Sequence, residues 1–181
     1  GDMVTLGLGD SVAGPILQNK QVTLPPLSVP LSFPPSSGNV TIALGQSGVL
    51  APGSYGKVTV YGSLTLAAGT YYVENLDIEP FSTVTLDKTS GPVVLDVQSQ
   101  LSLGAPMVDH GSHPGSNILV NYVGTLPLVF SVPFTGTLAS PNASVLLGAV
   151  LNGGHTGVFL AHGVVVAGAV ITRQAFDPAC P

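Results

Sequence analysis

Apolar residues alternate with polar or small residues in short runs along much of this chain. A period of two residues places alternate side chains on one face, which is typical of a β-strand with one buried face. Most runs span only three to five residues and end at Gly, Pro, Ser or Asn, the residues that favour turns. The pattern therefore predicts an all-β protein with many short strands, at 40–44, 58–60, 64–66, 84–86, 93–97, 101–103, 118–122 and 145–147.

An internal repeat narrows the choice among all-β architectures. The segment Leu50-Ala-Pro-Gly-Ser-Tyr55 returns sixteen residues later as Leu66-Ala-Ala-Gly-Thr-Tyr71. A spacing of sixteen residues is short for a hairpin pair with both loops, but it suits one rung of a small β-helix. Each rung of such a solenoid is stable only when it stacks on its neighbours. We also expect Tyr55 and Tyr71 to occupy equivalent corners of adjacent rungs.

The same pattern predicts one domain over 1–181. We expect 1–37 to hold N-terminal edge strands or a cap followed by a Pro-rich strap, 38–177 to form the solenoid rungs, and 178–181 to be a tail. Within the rungs, 104–116 is predicted to be an extruded loop. The strap is inferred from prolines that are incompatible with a central strand, namely Pro25, Pro26, Pro30, Pro34 and Pro35.

Composition excludes several classes of partner. Apolar residues make up 45% of the chain and charged residues only 7%, with a formal net charge of −5. The few Lys and Arg residues argue against nucleic acid, whose phosphates require clustered cations. No apolar run reaches the length of a membrane-spanning helix, so no transmembrane segment is predicted. The scarcity of Lys and Glu beside abundant Ser, Thr and Gly favours an extracellular or cell-surface location, and the lone Cys180 cannot form an internal disulfide.

The densest group of chemically capable residues is Asp109-His110-Gly-Ser-His113. A carboxylate and two imidazoles this close could share a metal ion or transfer protons. The group lacks a recognised ligand spacing and a fourth ligand, so the sequence favours a solvated loop. These residues are weak metal candidates, and the sequence predicts no bound metal and no cofactor.

The remaining candidates also have simple structural explanations. His155 and His162 are each interpreted as turn or surface residues. No nucleophile elbow or ordered base supports a Ser-His-Asp triad. An acidic cluster followed by Lys88 could bind calcium on one face, as in polysaccharide lyases, but ordinary solvated positions are the favoured explanation, and a single Arg gives lyase chemistry little support. The cluster comprises Glu74, Asp77, Glu79 and Asp87.

Two passages carry a resemblance to a known family. They are Leu50-Ala-Pro-Gly-Ser-Tyr-Gly-Lys-Val-Thr-Val60 with its echo at 64–72, and Leu138-Ala-Ser-Pro-Asn-Ala-Ser-Val145 with a further rung ending near Phe176-Asp177. Over 38–177 the chain resembles the β-helical domain of uncharacterised bacterial surface and pilus-associated proteins. The resemblance implies a right-handed parallel β-helix and an envelope or extracellular role. It supplies no catalytic residues.

A more distant resemblance is to the β-helical ice-binding proteins, which have a similar Pro-Gly-Thr-Tyr-like turn and low charge. This sequence shows no regular Thr-x-Thr ladder. The resulting hypothesis is a non-catalytic structural or adhesive module that binds copies of itself or extracellular glycans and can assemble into a filament or surface layer. The alternatives are an ice- or polysaccharide-binding protein that uses one flat face, and an enzyme acting on polysaccharide.

Overall fold

A computed structural model describes residues 32–109, 115–150, 153–174 and 176–177. These residues form strands and connecting turns, and no helix occurs among them. The strands are β1 (Val40–Ile42), β2 (Ser47–Leu50), β3 (Gly53–Val60), β4 (Ser63–Ala67), β5 (Gly69–Ile78), β6 (Thr83–Asp87), β7 (Val93–Leu103), β8 (Met107–Asp109), β9 (Ile118–Tyr122), β10 (Leu128–Phe130), β11 (Thr135–Gly148), β12 (His155–Ala167) and β13 (Ile171–Thr172).

The strands pair only in parallel, in two sheets. The larger sheet has the order β1-β3-β5-β7-β9-β11-β12-β13, with β10 also paired to β11, and the smaller sheet has the order β2-β4-β6-β8. From β1 to β9, successive strands alternate between the larger and the smaller sheet. The chain therefore winds as a parallel β-helix, with about six turns in all. The predicted all-β parallel β-helix is therefore confirmed.

The sixteen-residue repeat holds for the pairing of β2 with β4 but not for that of β3 with β5, where Tyr55 pairs with Val73, eighteen residues on, and not with Tyr71. Leu50 pairs with Leu66, as the repeat requires. In the next turn Ser63 pairs with Thr83, twenty residues on, and Val93 later pairs with Ile118, twenty-five residues on. The rungs lengthen because turns of different length are inserted between strands whose pairing is kept.

The two tyrosines of the repeat form the same local hydrogen bond. Tyr55 Oη donates to Ala51 O at 2.6 Å, and Tyr71 Oη lies 2.8 Å from Ala67 O, four residues back in each case. Tyr71 is also 2.9 Å from Leu50 O. Burial disfavours the phenolate and raises the pKa of Tyr71 to about 12, although the bond to Ala67 opposes the shift.

A single apolar core fills the inside of the solenoid. The inward side of each strand contributes alternate Val, Leu and Ile side chains, as a period of two requires. Phe130 and Phe134 stack in it with ring centroids 5.1 Å apart. Other fully buried members are Val60, Ile78, Val84, Leu86, Val93, Leu95, Val97, Ile118, Val120, Leu138, Val145 and Leu147.

Backbone contact between two late rungs depends on glycine. Gly136 of β11 pairs with Gly157 of β12, and both have positive φ, +131° and +153°. A Cβ atom on Gly157 would lie 1.7 Å from the Gly136 carbonyl oxygen. Only residues without a side chain allow this approach.

The described part of the Pro-rich strap runs beside β3. Ser54 Oγ donates to Pro34 O at 2.7 Å, and Ser37 N donates to Ser54 O at 2.8 Å. The ring of Phe33 meets Tyr72 edge-on, with centroids 6.1 Å apart. The other strap prolines before residue 32 (Pro25, Pro26 and Pro30), the N-terminal cap and the 178–181 tail lie outside the described residues.

Two local predictions need correction. The predicted loop at 104–116 contains strand β8, which pairs with β6, because Met107 continues the inward apolar column above Val84. The predicted strand at 40–44 ends at Ile42. In the described ranges, no helix is long and apolar enough to cross a membrane.

Candidate functional site

A buried ion pair lies where β6 and β8 end. Leu86 of β6 pairs with Asp109 of β8, and Lys88 follows two residues later. The Lys88 Nζ atom is 3.0 Å from Asp109 Oδ2, and each side chain is only 2% exposed. The sequence prediction of a solvated loop is thus wrong for Asp109, whose carboxylate is held inside the protein.

A backbone amide also contacts this carboxylate. Gly115 N donates to Asp109 Oδ2 at 2.7 Å. Asp109 Oδ1 is buried and has no hydrogen-bond partner among the described residues. Removing two charges from water is costly, and a close partner offsets that cost. We refer to Lys88, Asp109 and the Gly115 amide as the buried ion-pair site.

The structure does not test the predicted grouping of Asp109 with two histidines, because His110 and His113 lie outside the described residues. Asp109 itself uses one oxygen to bind Lys88 and Gly115. In the part of the chain that is described, no group of three or more His, Cys, Asp or Glu residues could hold a metal ion.

The acidic cluster predicted from sequence is divided between two sheets. Asp77 lies on β5 in the larger sheet and forms an exposed ion pair with Lys57, with Nζ and Oδ2 3.5 Å apart. Asp87 ends β6 in the smaller sheet, where Thr89 Oγ1 and Thr89 N donate to its Oδ1. These bonds lower the pKa of Asp87.

The other two acidic residues belong with Asp77 rather than with Asp87. Glu74 lies on β5, and Glu79 follows directly after that strand. Lys88, expected beside the cluster, instead turns inward to Asp109. The four carboxylates therefore do not share one face.

The two histidines of β12 have opposite environments. His155 is fully buried, although the sequence suggested a turn or surface residue, while His162 is exposed as expected. Phe134 N donates to His155 Nδ1 at 3.3 Å, so the ring proton sits on Nε2, which is 3.1 Å from Gly148 O. The ring of His155 therefore links β12 to the backbone at Phe134 and to the backbone at Gly148, through one ring nitrogen each.

A second buried polar pair was missed in the sequence. Asp96 of β7 pairs with Asn121 of β9 in register, and Asn121 Nδ2 donates to Asp96 Oδ1 at 2.7 Å. Desolvation raises the pKa of Asp96, and the hydrogen bond from Asn121 opposes this shift. The signal available in the sequence was a single polar residue within each of two apolar runs, Val93-Val-Leu-Asp-Val97 and Ile118-Leu-Val-Asn-Tyr122.

Comparisons with protein families, curated proteins and solved structures find no match to this chain.

Replacement of His155 by Ala is expected to destabilise the fold. It leaves the Phe134 N–H and the Gly148 carbonyl without their ring partner, at a cost of about 1–3 kcal/mol for each buried group. Urea denaturation followed by circular dichroism measures the loss. His162→Ala is the matched control on the same strand and should change stability little. Equal effects of the two replacements would contradict the assigned role of His155.

Replacement of Asp96 by Asn is expected to raise the melting temperature at neutral pH. A raised folded-state pKa gives stability that is full below the unfolded pKa and is lost as pH rises through the folded pKa. The Asn variant avoids that loss, so its advantage should grow from acid to neutral pH in thermal melts. Asp87→Asn is the control of opposite sign, because its lowered pKa gives stability that is lost as pH falls. An Asp96→Asn advantage that is independent of pH would contradict the assignment.

Proposed function

We propose that this protein is a non-catalytic structural module of the cell exterior, whose copies stack end to end. The observation that carries the proposal is the open end of the core at β12. The low charge and the resemblance to bacterial surface and pilus-associated proteins support the same reading. A rigid solenoid with an uncovered end is suited to assembly because unpaired strand edges bind further strands.

The open end combines a strand edge that no described strand covers with exposed core side chains. Val164 pairs with the fully buried Val145 and so occupies an inward position, yet it is 44% exposed. The last described strand, β13, pairs only with His155 and Thr156. No described strand therefore covers the outer edge of β12 from Gly163 to Ala167.

The opposite end of the same sheet offers the complementary edge. Strand β1 forms one end of the larger sheet, and β12 lies near its other end. Beside β1 and in β2, Leu44 and Val49 are strongly exposed. A second copy placed above β12 would present β1 in parallel and extend the sheet. Such a head-to-tail contact does not close on itself, so it generates a filament.

We expect Val164→Lys to reduce self-association, because a charge at the open end would have to be buried between copies. Sedimentation over a range of concentrations and electron microscopy measure the effect. The matched control is Val129→Lys on β10 of the same sheet, where Val129 is 58% exposed away from the ends.

Association of the unsubstituted protein that weakens with Val164→Lys and persists with Val129→Lys would support stacking. Monomers at every concentration would refute it. Equal association of the two variants would show that the contact between copies does not lie at Val164. Circular dichroism of each variant checks that the fold is kept.

A second candidate function rests on the outer face of the smaller sheet. Ser63 and Thr65 on β4 pair in register with Thr83 and Thr85 on β6, and Ser47 on β2 extends the first column. The sequence showed no such ladder because these strands are offset by different numbers of residues. Parallel strands space these hydroxyls about 4.8 Å apart across the sheet and about 6.6 Å along it. A regular hydroxyl array suits a repeating ligand, either ice or a polysaccharide.

If this face binds such a ligand, the double replacement Thr65→Tyr and Thr85→Tyr should abolish binding by disturbing the flat array. Thermal hysteresis and glycan-array binding are the measurements. Thr41→Tyr, at an exposed position of β1 in the other sheet, is the control. Absence of both activities in the unsubstituted protein would eliminate this candidate.

A further inference from the structure

The buried ion-pair site brings together the two groups that form an amide bond. Lys88 supplies a primary amine and Asp109 a carboxyl group, with Nζ and Oδ2 3.0 Å apart and both side chains 2% exposed. We propose that the two side chains become joined by an intramolecular amide bond between Lys88 Nζ and Asp109 Cγ. This covalent link is independent of the proposed assembly and goes beyond it.

The reaction requires an uncharged amine beside a carboxylic acid, and the 3.0 Å contact between Nζ and Oδ2 gives the proton a direct path between them. An ammonium and a carboxylate inside a protein both lose their hydration. Transfer of one proton from Nζ to the carboxyl group removes both charges and leaves an amine beside a carboxylic acid. The neutral amine carries the lone pair that makes it a nucleophile.

The surrounding backbone orients the reactants and stabilises the developing charge. The register between Leu86 and Asp109 fixes the carboxyl group, and Lys88 extends from the end of the same strand pair. Holding two reacting groups in contact replaces a bimolecular encounter by an intramolecular step. Gly115 N–H, 2.7 Å from Asp109 Oδ2, is placed to stabilise negative charge on that oxygen during attack on Cγ.

The reaction balances without any further reactant. The Nζ–Cγ bond forms and one Cγ–O bond of Asp109 breaks. Two of the three ammonium protons leave with that oxygen as water, and the third remains on the amide nitrogen. The oxygen held by Gly115 becomes the amide carbonyl, and Oδ1, which has no hydrogen-bond partner among the described residues, is the oxygen that leaves.

The bond would tie β6 to β8, two neighbouring strands of the smaller sheet. Like a disulfide, a link between distant residues restricts the unfolded chain and so favours the folded state. Unlike a disulfide, it resists reduction. The link would hold the 89–108 segment, which includes all of β7, as a closed loop.

Mass spectrometry of the purified full chain tests the proposal. The denatured protein should weigh about 18 Da less than its sequence, because one water is lost. Trypsin should then fail to cleave after Lys88, since an acylated lysine is not a substrate. Digestion of the denatured protein should yield one peptide spanning 58–173 with the same mass deficit, while cleavage after Lys57 proceeds.

Two controls locate the bond. Lys88→Arg keeps the positive charge but lacks the primary amine, so this variant should have its full sequence mass and be cut after position 88. Lys57→Arg alters the exposed pair with Asp77, where the side chains are 50% and 20% exposed, and should retain the deficit. The measurement on the unsubstituted chain stands even if the Lys88 variant fails to fold.

Full sequence mass together with complete cleavage after Lys88 in the folded, unsubstituted protein would overturn the proposal. A mass deficit that persists in Lys88→Arg would overturn it as well, because the water would then come from another site. A mass deficit in a chain that trypsin still cuts after Lys88 would also overturn the proposal, because the water would then have been lost at another site. None of these outcomes depends on whether the protein assembles.

Discussion

Parallel pairing of each rung with the next is the constraint on which the rest of this structure depends. A strand in this fold finds its hydrogen-bond partners in the turns before and after it, and its inward side chains pack against the opposite face of their own turn and against those neighbouring turns. Val145 and Val164 illustrate the consequence. They are paired neighbours at inward positions, but among the described strands only Val145 has a partner on both sides. Burial in a solenoid is therefore a property of position along the stack as much as of residue type.

The same constraint explains where polar groups can lie inside. An interior polar side chain is surrounded by the apolar core, so it must find a partner within reach of its own rung or the next. Lys88 meets Asp109 across the β6–β8 pair. Asn121 and Asp96 are buried on the outer side of the larger sheet, and they too meet across one strand pair, β7–β9. His155 instead binds backbone groups of neighbouring segments. Each interaction links turns of the helix that the chain separates by many residues.

These buried contacts matter for function because they determine which charged groups remain at the surface. Charges that the sequence suggested for metal or catalytic chemistry are used within the fold, as with Asp109, or are divided between sheets, as with Asp77 and Asp87. The described surface includes the outer edge of β12 and the hydroxyl columns of the smaller sheet. The proposed contacts with extended or repeating partners rest on these two features.

The sequence by itself determined the strand-forming runs and the solenoid class, because alternation of side chains and turn residues are local properties. Each predicted run overlaps a strand, and the repeat placed Leu50 against Leu66. Only the tertiary structure decided the pairing of Lys88 with Asp109 and the Ser and Thr columns of the smaller sheet. Those neighbours depend on the number of residues inserted in each turn, which changes from rung to rung. Contacts between rungs are therefore set by register, a property of the stacked chain that no single segment contains.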